Sequence, residues 1–325
     1  MNPGHSQRLS VLGMGLLAVA CGPGPSPTTV PRVARAIVVE PAIVSMPAGS
    51  RAQLAAQVND NSGQPIGGSP ITFESANPVI ASVSATGLVT ASGPAGETTV
   101  RVASGIRSAE VTVRIGPGAP AALDIVQGPK PAAQVSRLIG EIQVVVRDEL
   151  GNPVSGAPLT WQTTGKGGTL EGTSERTGPE GIGTARWIAG SAPGDQALAV
   201  QSGSIPPQVL RTVVGPGPPA MIRINIDPPL TADSLEVGAS RQVRIRVVDE
   251  FGNSVPDAQV LLTSGRGCGL DAINLVSDGE GNTAATEWVP GSAGSCTLIA
   301  RIGDPAIEAK VPVKVVRAAP AQRER

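Results

Sequence analysis

Short alternations of apolar and polar residues run along most of the chain, and none has the 3.6-residue period of a helix. From Val243 to Val247, valine and isoleucine alternate with Arg244 and Arg246. Residues 53–58 and 142–147 show the same period of two. This period places successive side chains on opposite faces of a strand. The pattern predicts an all-β chain of Greek-key β-sandwiches, with about seven strands per hundred residues.

Three of these strands end in the same way, with an aspartate followed three residues later by a glycine. The aspartates are Asp60, Asp148 and Asp249. Aspartate can accept hydrogen bonds from nearby backbone, and glycine tolerates positive φ, so each site predicts a hairpin turn. The second strand of each hairpin is expected in the apolar residues 71–73, 159–161 and 260–262.

Two long segments of the chain repeat. The text GPGAPAAL at 116–123 returns as GPGPPAMI at 215–222, and RDELGNPV at 147–154 returns as VDEFGNSV at 248–255. A period of about 100 residues is too long for a solenoid and suits tandem sandwich domains. The sequence therefore predicts domain boundaries near residues 116 and 215.

The amino-acid composition argues against several classes of function. The chain has 325 residues with 41 Gly and 31 Pro, which disfavours helices. Its formal net charge is −1, so no basic field attracts nucleic acid. There is no Tyr, and the one histidine is His5. Few aromatic residues also disfavour a base-stacking platform for single strands.

The N-terminus has the features of an export signal. Residues 9–20 form an apolar run that is too short to span a bilayer and ends at Cys21. The text LLAVAC resembles a bacterial lipobox, although Ala18 stands where leucine is commoner. The resemblance implies a signal peptide over 1–20 and lipidation of Cys21. The alternative is an ordinary signal peptide cut near Ala20.

Export has two consequences for the rest of the chain. Loss of the signal removes His5, so the mature chain lacks the base of a Ser-His or Cys-His mechanism. Residues 21–32 are rich in Pro and Gly and predict an extended tether. By resemblance to Gram-negative lipoproteins, Gly22 after the cysteine favours the outer membrane. Residues 317–325 are expected to be a disordered tail.

The first domain carries a recognisable motif. Residues 33–115 contain PAGSRAQLAAQVNDNSGQPI and TFESANPVIASVSATGLVTA. This text resembles a bacterial immunoglobulin-like domain of group 2, with Phe73 where the family usually has Trp.

The repeated units resemble a related group. Residues 116–214 carry RDELGNPVSG and TGPEGIGTARW, and residues 215–316 carry VDEFGNSVPD and SDGEGNTAATEW. Both are similar to group 1 bacterial immunoglobulin-like domains, the kind seen in invasin and intimin. The resemblance implies an immunoglobulin-like fold and an extracellular setting. It implies adhesion only weakly, because such folds also serve as spacers.

Cys268 and Cys296 are the cysteines that remain after Cys21, and both lie in the third domain. Two cysteines in an exported protein usually pair, so a disulfide is expected, with two buried free thiols as the alternative. Cys296 shares the parity of Leu298 and Ala300, which predicts a side chain that points into the core. Two cysteines without histidine do not suit a metal site.

Other candidate sites are weaker. Three acidic segments fit turn chemistry better than calcium ligation: Asp148/Glu149, Asp249/Glu250 and residues 278–282. Calcium binding between domains is the alternative. Trp187 and Trp288 recur at one repeat position, which favours core packing over stacking on a carbohydrate. Core packing is expected for Trp161 as well. Lys166 lacks the glycine spacing of a phosphate loop.

These observations predict a non-catalytic protein with no cofactor and no metal. The expected function is that of a lipid-anchored surface protein, a rod of three tandem Ig-like β-sandwiches that acts as a spacer or interaction module. Its expected partner is the membrane, through Cys21. The alternative is an adhesin that binds a glycan or a protein through its distal, third domain.

Overall fold

The structure is a computed structural model that describes residues 32–303 and 306–317. Over these residues all regular secondary structure is β-strand, so the all-β prediction is confirmed. Three separate hydrophobic cores follow one another along the chain, within residues 44–115, 123–214 and 222–315. We call the units around these cores the first, second and third domains.

The first domain has nine strands. A four-stranded sheet in the order β2-β9-β8-β5 packs against two smaller sheets, β1-β4 and β3-β7-β6. Its strands are β1 (Ala36–Glu40), β2 (Ile43–Pro47), β3 (Arg51–Gln53), β4 (Ala55–Asn59), β5 (Thr72–Ser75), β6 (Ser82–Val83), β7 (Leu88–Thr90), β8 (Gly96–Ser104) and β9 (Arg107–Gly116).

The second domain has two four-stranded sheets, in the orders β10-β12-β15-β14 and β11-β17-β16-β13. This is the arrangement of an immunoglobulin sandwich, in which several neighbours in a sheet, such as β12 and β15, are not consecutive in sequence. Its strands are β10 (Ala122–Gln127), β11 (Ala132–Gln134), β12 (Leu138–Arg147), β13 (Thr160–Thr164), β14 (Thr169–Glu171), β15 (Ile182–Ile188), β16 (Gly194–Gln201) and β17 (Gln208–Gly215).

The third domain repeats this plan with one change. Its fifth strand pairs with β21 and makes a five-stranded sheet, β19-β25-β24-β21-β22, opposite the three-stranded β18-β20-β23. Its strands are β18 (Met221–Asp227), β19 (Ser234–Glu236), β20 (Arg241–Val248), β21 (Gln259–Ser264), β22 (Ile273–Val276), β23 (Thr286–Trp288), β24 (Gly294–Ile302) and β25 (Ile307–Val316).

The aspartate turns form as predicted, but the hairpins do not. In the second domain Asp148 N–H donates to the Asn152 carbonyl at 3.0 Å, and Gly151 N–H donates to the Asp148 carbonyl at 3.1 Å. The chain then pairs back through a single bridge, and the next strand, β13, lies in the opposite sheet. The predicted pairing is wrong because Val154 and Leu159 are buried between the sheets, so this segment crosses the end of the core.

Candidate functional site: the interdomain joints

The turn at Asp148 forms a joint with the first domain. One carboxylate oxygen of Asp148, Oδ1, accepts the backbone N–H groups of Leu150 and Asn152 at 2.9 and 2.8 Å. The other, Oδ2, accepts the N–H of Gly118 at 2.7 Å and the side-chain amide of Asn152 at 2.9 Å. Because Gly118 lies in the linker between the domains, this carboxylate holds the linker to the second domain.

Asn152 extends the contact across to the first domain. Its Oδ1 accepts the backbone N–H of Ala95 at 2.8 Å, directly before β8. Asn152 is buried, and its amide group bonds to both Asp148 and the first domain. We call this set of contacts the first joint.

The second joint repeats the first one between the second and third domains. Asp249 accepts the N–H groups of Phe251, Asn253 and the linker residue Gly217, each at 2.9 Å. The side chain of Asn253 donates to Asp249 Oδ2 at 2.9 Å and to the carbonyl of Ser191 in the second domain at 2.8 Å. The repeated DExGN motif therefore has the same role in both joints, which is to bind the linker glycine and the preceding domain.

Close approach of the backbone explains a glycine in the linker. A Cβ atom on Gly118 would lie 3.2 Å from the Ala48 carbonyl and 3.3 Å from Asp148 Oδ2, tighter than ordinary contacts. At Gly217 the nearest atoms, on Asp249, are 3.4 Å away, so the second joint is less crowded. Glycine at 118 thus allows the first joint to close.

The carboxylates of the joints stay ionised well into the acid range. Burial raises the pKa of Asp148, but the hydrogen bonds from Gly118, Asn152 and Leu150 outweigh it, and the pKa lies below its ordinary value of 3.8. The pKa of Asp249 is lowered in the same way, by bonds from Asn253, Gly217 and Phe251 that outweigh its burial. Each carboxylate is surrounded by N–H donors, which is the environment of an anion and leaves little room for a cation.

The first domain has the same turn without a joint. Asp60 accepts the N–H groups of Ser62 and Gln64 at 2.8 and 2.9 Å. Its other oxygen lies 3.7 Å from Arg32 Nε, in the place where the linker glycine lies in the later domains. Gln64 replaces the joint asparagine and is exposed. In the two turns that contact a preceding domain, the residue at this position is asparagine.

Sequence reasoning found these turns but missed the joints. It treated Asp148/Glu149 and Asp249/Glu250 as carboxylate pairs, whereas the contacts use only the aspartate of each pair, with Asn152 or Asn253. The available signal was the difference between Gln64 in the first turn and asparagine in the other two.

An apolar side chain stands at the tip of each joint turn. Leu150 is 46% exposed and Phe251 is 44% exposed, at equivalent positions of the repeat. A groove of about 440 Å³ opens beside the first joint and is lined by Leu150, Pro120 and Ala48 among others.

The structure joins Cys268 and Cys296 in a disulfide, with their Cα atoms 5.6 Å apart. Both residues are buried in the third core. The carbonyl of Cys268 accepts the indole N–H of Trp288 at 2.6 Å. In the second domain Trp187 makes the same bond to the Gly167 carbonyl, so the disulfide is built onto a contact that both domains share.

The three tryptophans are core residues. Trp187 and Trp288 are fully buried, as predicted. Trp161 is half-buried against the second core and donates to the Ser174 carbonyl at 2.9 Å. Phe251 is the one aromatic residue with an exposed side chain in the part of the chain that the structure describes. A stacking platform of several aromatic rings is therefore not present there.

The remaining candidates are turn or loop residues. Asp278 Oδ1 accepts the N–H groups of Glu280 and Asn282, each at 2.9 Å, which is the turn chemistry weighed against calcium. Lys166 is exposed in a loop. Among residues 32–303 and 306–317, no cluster of three His, Cys, Asp or Glu side chains could hold a metal ion. Cys21 lies outside the described residues.

Comparison with known proteins identifies one domain by its sequence. Residues 33–114 match the family model of the bacterial Ig-like domain (group 2). The first domain is thus similar to this family over its whole length. No curated protein matches the chain. In the described residues, no helix is long and apolar enough to cross a membrane.

Several solved structures are similar to this chain. The Escherichia coli adhesin FdeC is 17% identical with a TM-score of 0.50, over 88% of this chain and 99% of that one. InvD of Yersinia pseudotuberculosis is 18% identical with a TM-score of 0.47, over 87% of this chain and 98% of that one. Invasin, described as a bacterial integrin-binding protein, is 18% identical with a TM-score of 0.47, over 86% and 60%. At this identity, the match to FdeC shows a shared fold.

Proposed function

We propose that the chain is a non-catalytic surface protein whose three Ig-like domains form a rod that acts as a spacer or interaction module. The repeated joint carries this proposal. A buried aspartate and an asparagine connect each later domain to the end of the domain before it, at both boundaries. Contacts that repeat from domain to domain stack the units end to end.

Strand direction supports the same arrangement. In the first domain, β9 runs towards the linker that begins at Gly116, and the neighbouring start of β8 supplies Ala95 to the joint. In the second domain the joint turn lies beside the first residue of β10, since Ala122 pairs with Arg147. The end of one domain therefore faces the beginning of the next.

The outer face of the first domain suits a spacer. Glu97, Arg101, Glu110 and Arg114 project from β8 and β9 and pair across the strands, with an Arg114–Glu97 distance of 2.8 Å. Opposite charges placed directly across neighbouring strands stabilise their pairing and keep the sheet face solvated.

Anchoring belongs to the same proposal. The lipobox-like text before Cys21 supports export and lipidation, and Gly22 supports the outer membrane. With the lipid at Cys21, the first domain is nearest to the membrane and the third domain is farthest from it.

A second candidate function, adhesion through the third domain, has an observation in its favour. That domain alone has a five-stranded sheet. On it, a groove of about 490 Å³ is lined by Leu261, Asn274, Arg301 and Glu308 among others. Its mixture of apolar and charged side chains suits a polar ligand, either a glycan or a protein loop. A glycan and host-protein screen that compares the wild type with Leu261→Ser would reveal such binding.

Small-angle scattering tests the rod. Each sandwich is about 30 Å tall, since its longest strands have nine or ten residues at about 3.3 Å each. Three sandwiches end to end, with their loops, give a maximum dimension of roughly 100–120 Å. A compact globule of the length of residues 33–316 has a radius of gyration of about 19 Å. A measured value near this one would contradict the rod.

A further inference from the structure

The hairpin that connects β8 to β9 ends in a strongly exposed apolar side chain. Ile106 is 95% exposed, and Gly105 beside it has a φ of 57° that allows the tight turn between Ser104 and Arg107. An isoleucine at the tip of a rigid hairpin contributes nothing to its own core. Among the large apolar side chains of the described residues it is the most exposed, so it is free to contact a surface outside the domain.

This hairpin lies at the end of the first domain where the tether enters. Strand β9 starts at Arg107 and runs away from this end towards the first joint. Arg35 N–H donates to the Asn59 carbonyl at 2.8 Å, which places the incoming chain at the start of β1. Val33, also at this end, is 67% exposed. We call Val33, Arg35, Ile106 and Arg107 the tether-end patch.

The patch is basic as well as apolar. Arg35 is exposed, and Arg107 is half-buried with its Nε enclosed and without a hydrogen-bond partner. Neither arginine forms an ion pair within the described residues, whereas Arg32 pairs with Asp60. An anionic lipid surface attracts arginine side chains, and an exposed isoleucine can enter its headgroup boundary.

The second domain supplies an internal comparison. Its equivalent hairpin has Gly203 with a φ of 53° and an exposed Ser204 in the place of Ile106. The isoleucine of that hairpin, Ile205, packs against the core. The apolar tip thus belongs to the domain nearest to Cys21 and is missing from the domain in the middle of the rod.

We propose that the tether-end patch rests on an anionic lipid surface. Ile106 enters the headgroup boundary, and Arg35 and Arg107 meet lipid phosphates. This inference rests on the proposed anchoring at Cys21, because the ten residues 22–31 extend at most about 36 Å. The first domain is therefore held within reach of the bilayer, and the contact orients the base of the rod.

The test couples the mature chain, residues 21–325, to a maleimide lipid through the thiol of Cys21, which the Cys268–Cys296 disulfide leaves as the free thiol. Vesicles contain phosphatidylcholine with phosphatidylglycerol, or phosphatidylcholine alone. Hydrogen exchange is measured for the hairpin 104–107, with the hairpin 202–205 of the second domain as the control. Chemical coupling places Cys21 at the bilayer whether or not cells acylate it, so failure of this proposal is separate from failure of the anchoring proposal.

On vesicles with phosphatidylglycerol we expect exchange in residues 104–107 to slow about tenfold, which corresponds to about 1.4 kcal/mol. Ile106→Ser, which installs the side chain of the second hairpin, should return it to the rate of the uncoupled chain. Arg35→Gln should weaken the effect and its sensitivity to salt. Equal rates for coupled and uncoupled protein, equal protection of Ile106→Ser, or equal slowing of residues 202–205 would each overturn the proposal. Equal slowing on phosphatidylcholine alone would overturn the role of the arginines.

Discussion

Asp148 and Asp249 each hold a turn and a domain boundary with the same carboxylate. One oxygen closes the turn, and the other accepts the linker glycine and the joint asparagine. Asp60 closes its turn in the same way, and within the described residues its other oxygen lies near Arg32 rather than a linker glycine. One residue type thus forms the turn in all three domains, and in the two joint turns the asparagine four places later also bonds to the neighbouring domain.

Asn152→Ala should loosen the first joint without unfolding either domain. The substitution leaves the part-buried Ala95 N–H and one lone pair of the buried Asp148 without their partner, and a fully buried unpaired group costs about 1–3 kcal/mol. We expect a wider distribution of distances between spin labels on the first and second domains, measured by pulsed EPR. Gln64→Ala, at the same position of the first turn, is the matched control and should leave the distribution unchanged. An unchanged distribution in Asn152→Ala would show that the asparagine does not restrain the joint.

The joints should also respond to strong acid. The pKa values of Asp148 and Asp249 are lowered in the folded protein, so their stabilisation is fully present above the ordinary pKa of 3.8 and is lost as the pH falls further. The same EPR distances should stay constant between pH 5 and pH 7 and broaden only below about pH 3.8. Burial of Trp187 and Trp288, followed by fluorescence, reports whether the domains stay folded. Broadening between pH 7 and pH 5 would mean that other groups control the joint.

At the scale of elements, the second and third domains stabilise the region beside their buried tryptophan with different contacts. In the second domain Gln196 is buried and holds the loop after β15, by accepting from Gly190 N–H at 3.0 Å and donating to the Ala192 carbonyl at 3.1 Å. In the third domain Cys296 occupies that place and bonds to Cys268. A covalent link replaces a polar one beside the same buried tryptophan.

Removal of this disulfide should destabilise the third domain alone. For a separation of 28 residues the chain-entropy model gives about 3–4 kcal/mol. We expect Cys268→Ser/Cys296→Ser to lower the midpoint of one unfolding transition in calorimetry and to leave those of the first two domains in place. The double variant Cys268→Gly/Cys296→Gln copies Gly167 and Gln196 of the second domain. It should lower the stability of the third domain less than the double serine variant does. Two free thiols in a non-reduced digest of protein from an oxidising compartment would refute the pairing.

The move of the fifth strand from one sheet to the other is a further difference between these elements. In the second domain β14 pairs with β15, whereas in the third domain β22 pairs with β21. The exchange widens one outer face of the third domain, which carries Leu261 and Arg301. This is the face on which the adhesion hypothesis depends.

At the scale of the whole molecule, the two ends of the proposed rod differ in chemistry. The tether end presents Ile106 with Arg35 and Arg107, and the far domain presents the wide sheet with its groove. If the rod is anchored at Cys21, the basic and apolar end faces lipid and the groove faces outward. Anchoring at Cys21 would therefore orient the rod relative to the membrane.

Cys21→Ser should release the protein from the membrane or stall its processing. Stable anchoring takes more than one lipid chain, each stabilised by about 0.8 kcal/mol per buried methylene, and the tether-end patch is too small to replace them. Cell fractionation with immunoblotting measures the outcome. A mutant that fractionates with membranes like the wild type would contradict lipidation at this cysteine.

The sequence by itself determined the class of fold, because a period of two and a turn residue at each strand end act locally. It also indicated the buried tryptophans, since Trp187 and Trp288 recur at one repeat position, and the burial of Cys296, from its parity. Only the tertiary structure decided which strands pair: β13 leaves the sheet of β12, since burial of Val154 and Leu159 carries the chain across the core. It also decided the joints, because Asn152 meets Ala95 across 57 residues of sequence. Local pattern fixes a strand and its faces, whereas contacts between distant segments depend on how whole sheets and domains pack.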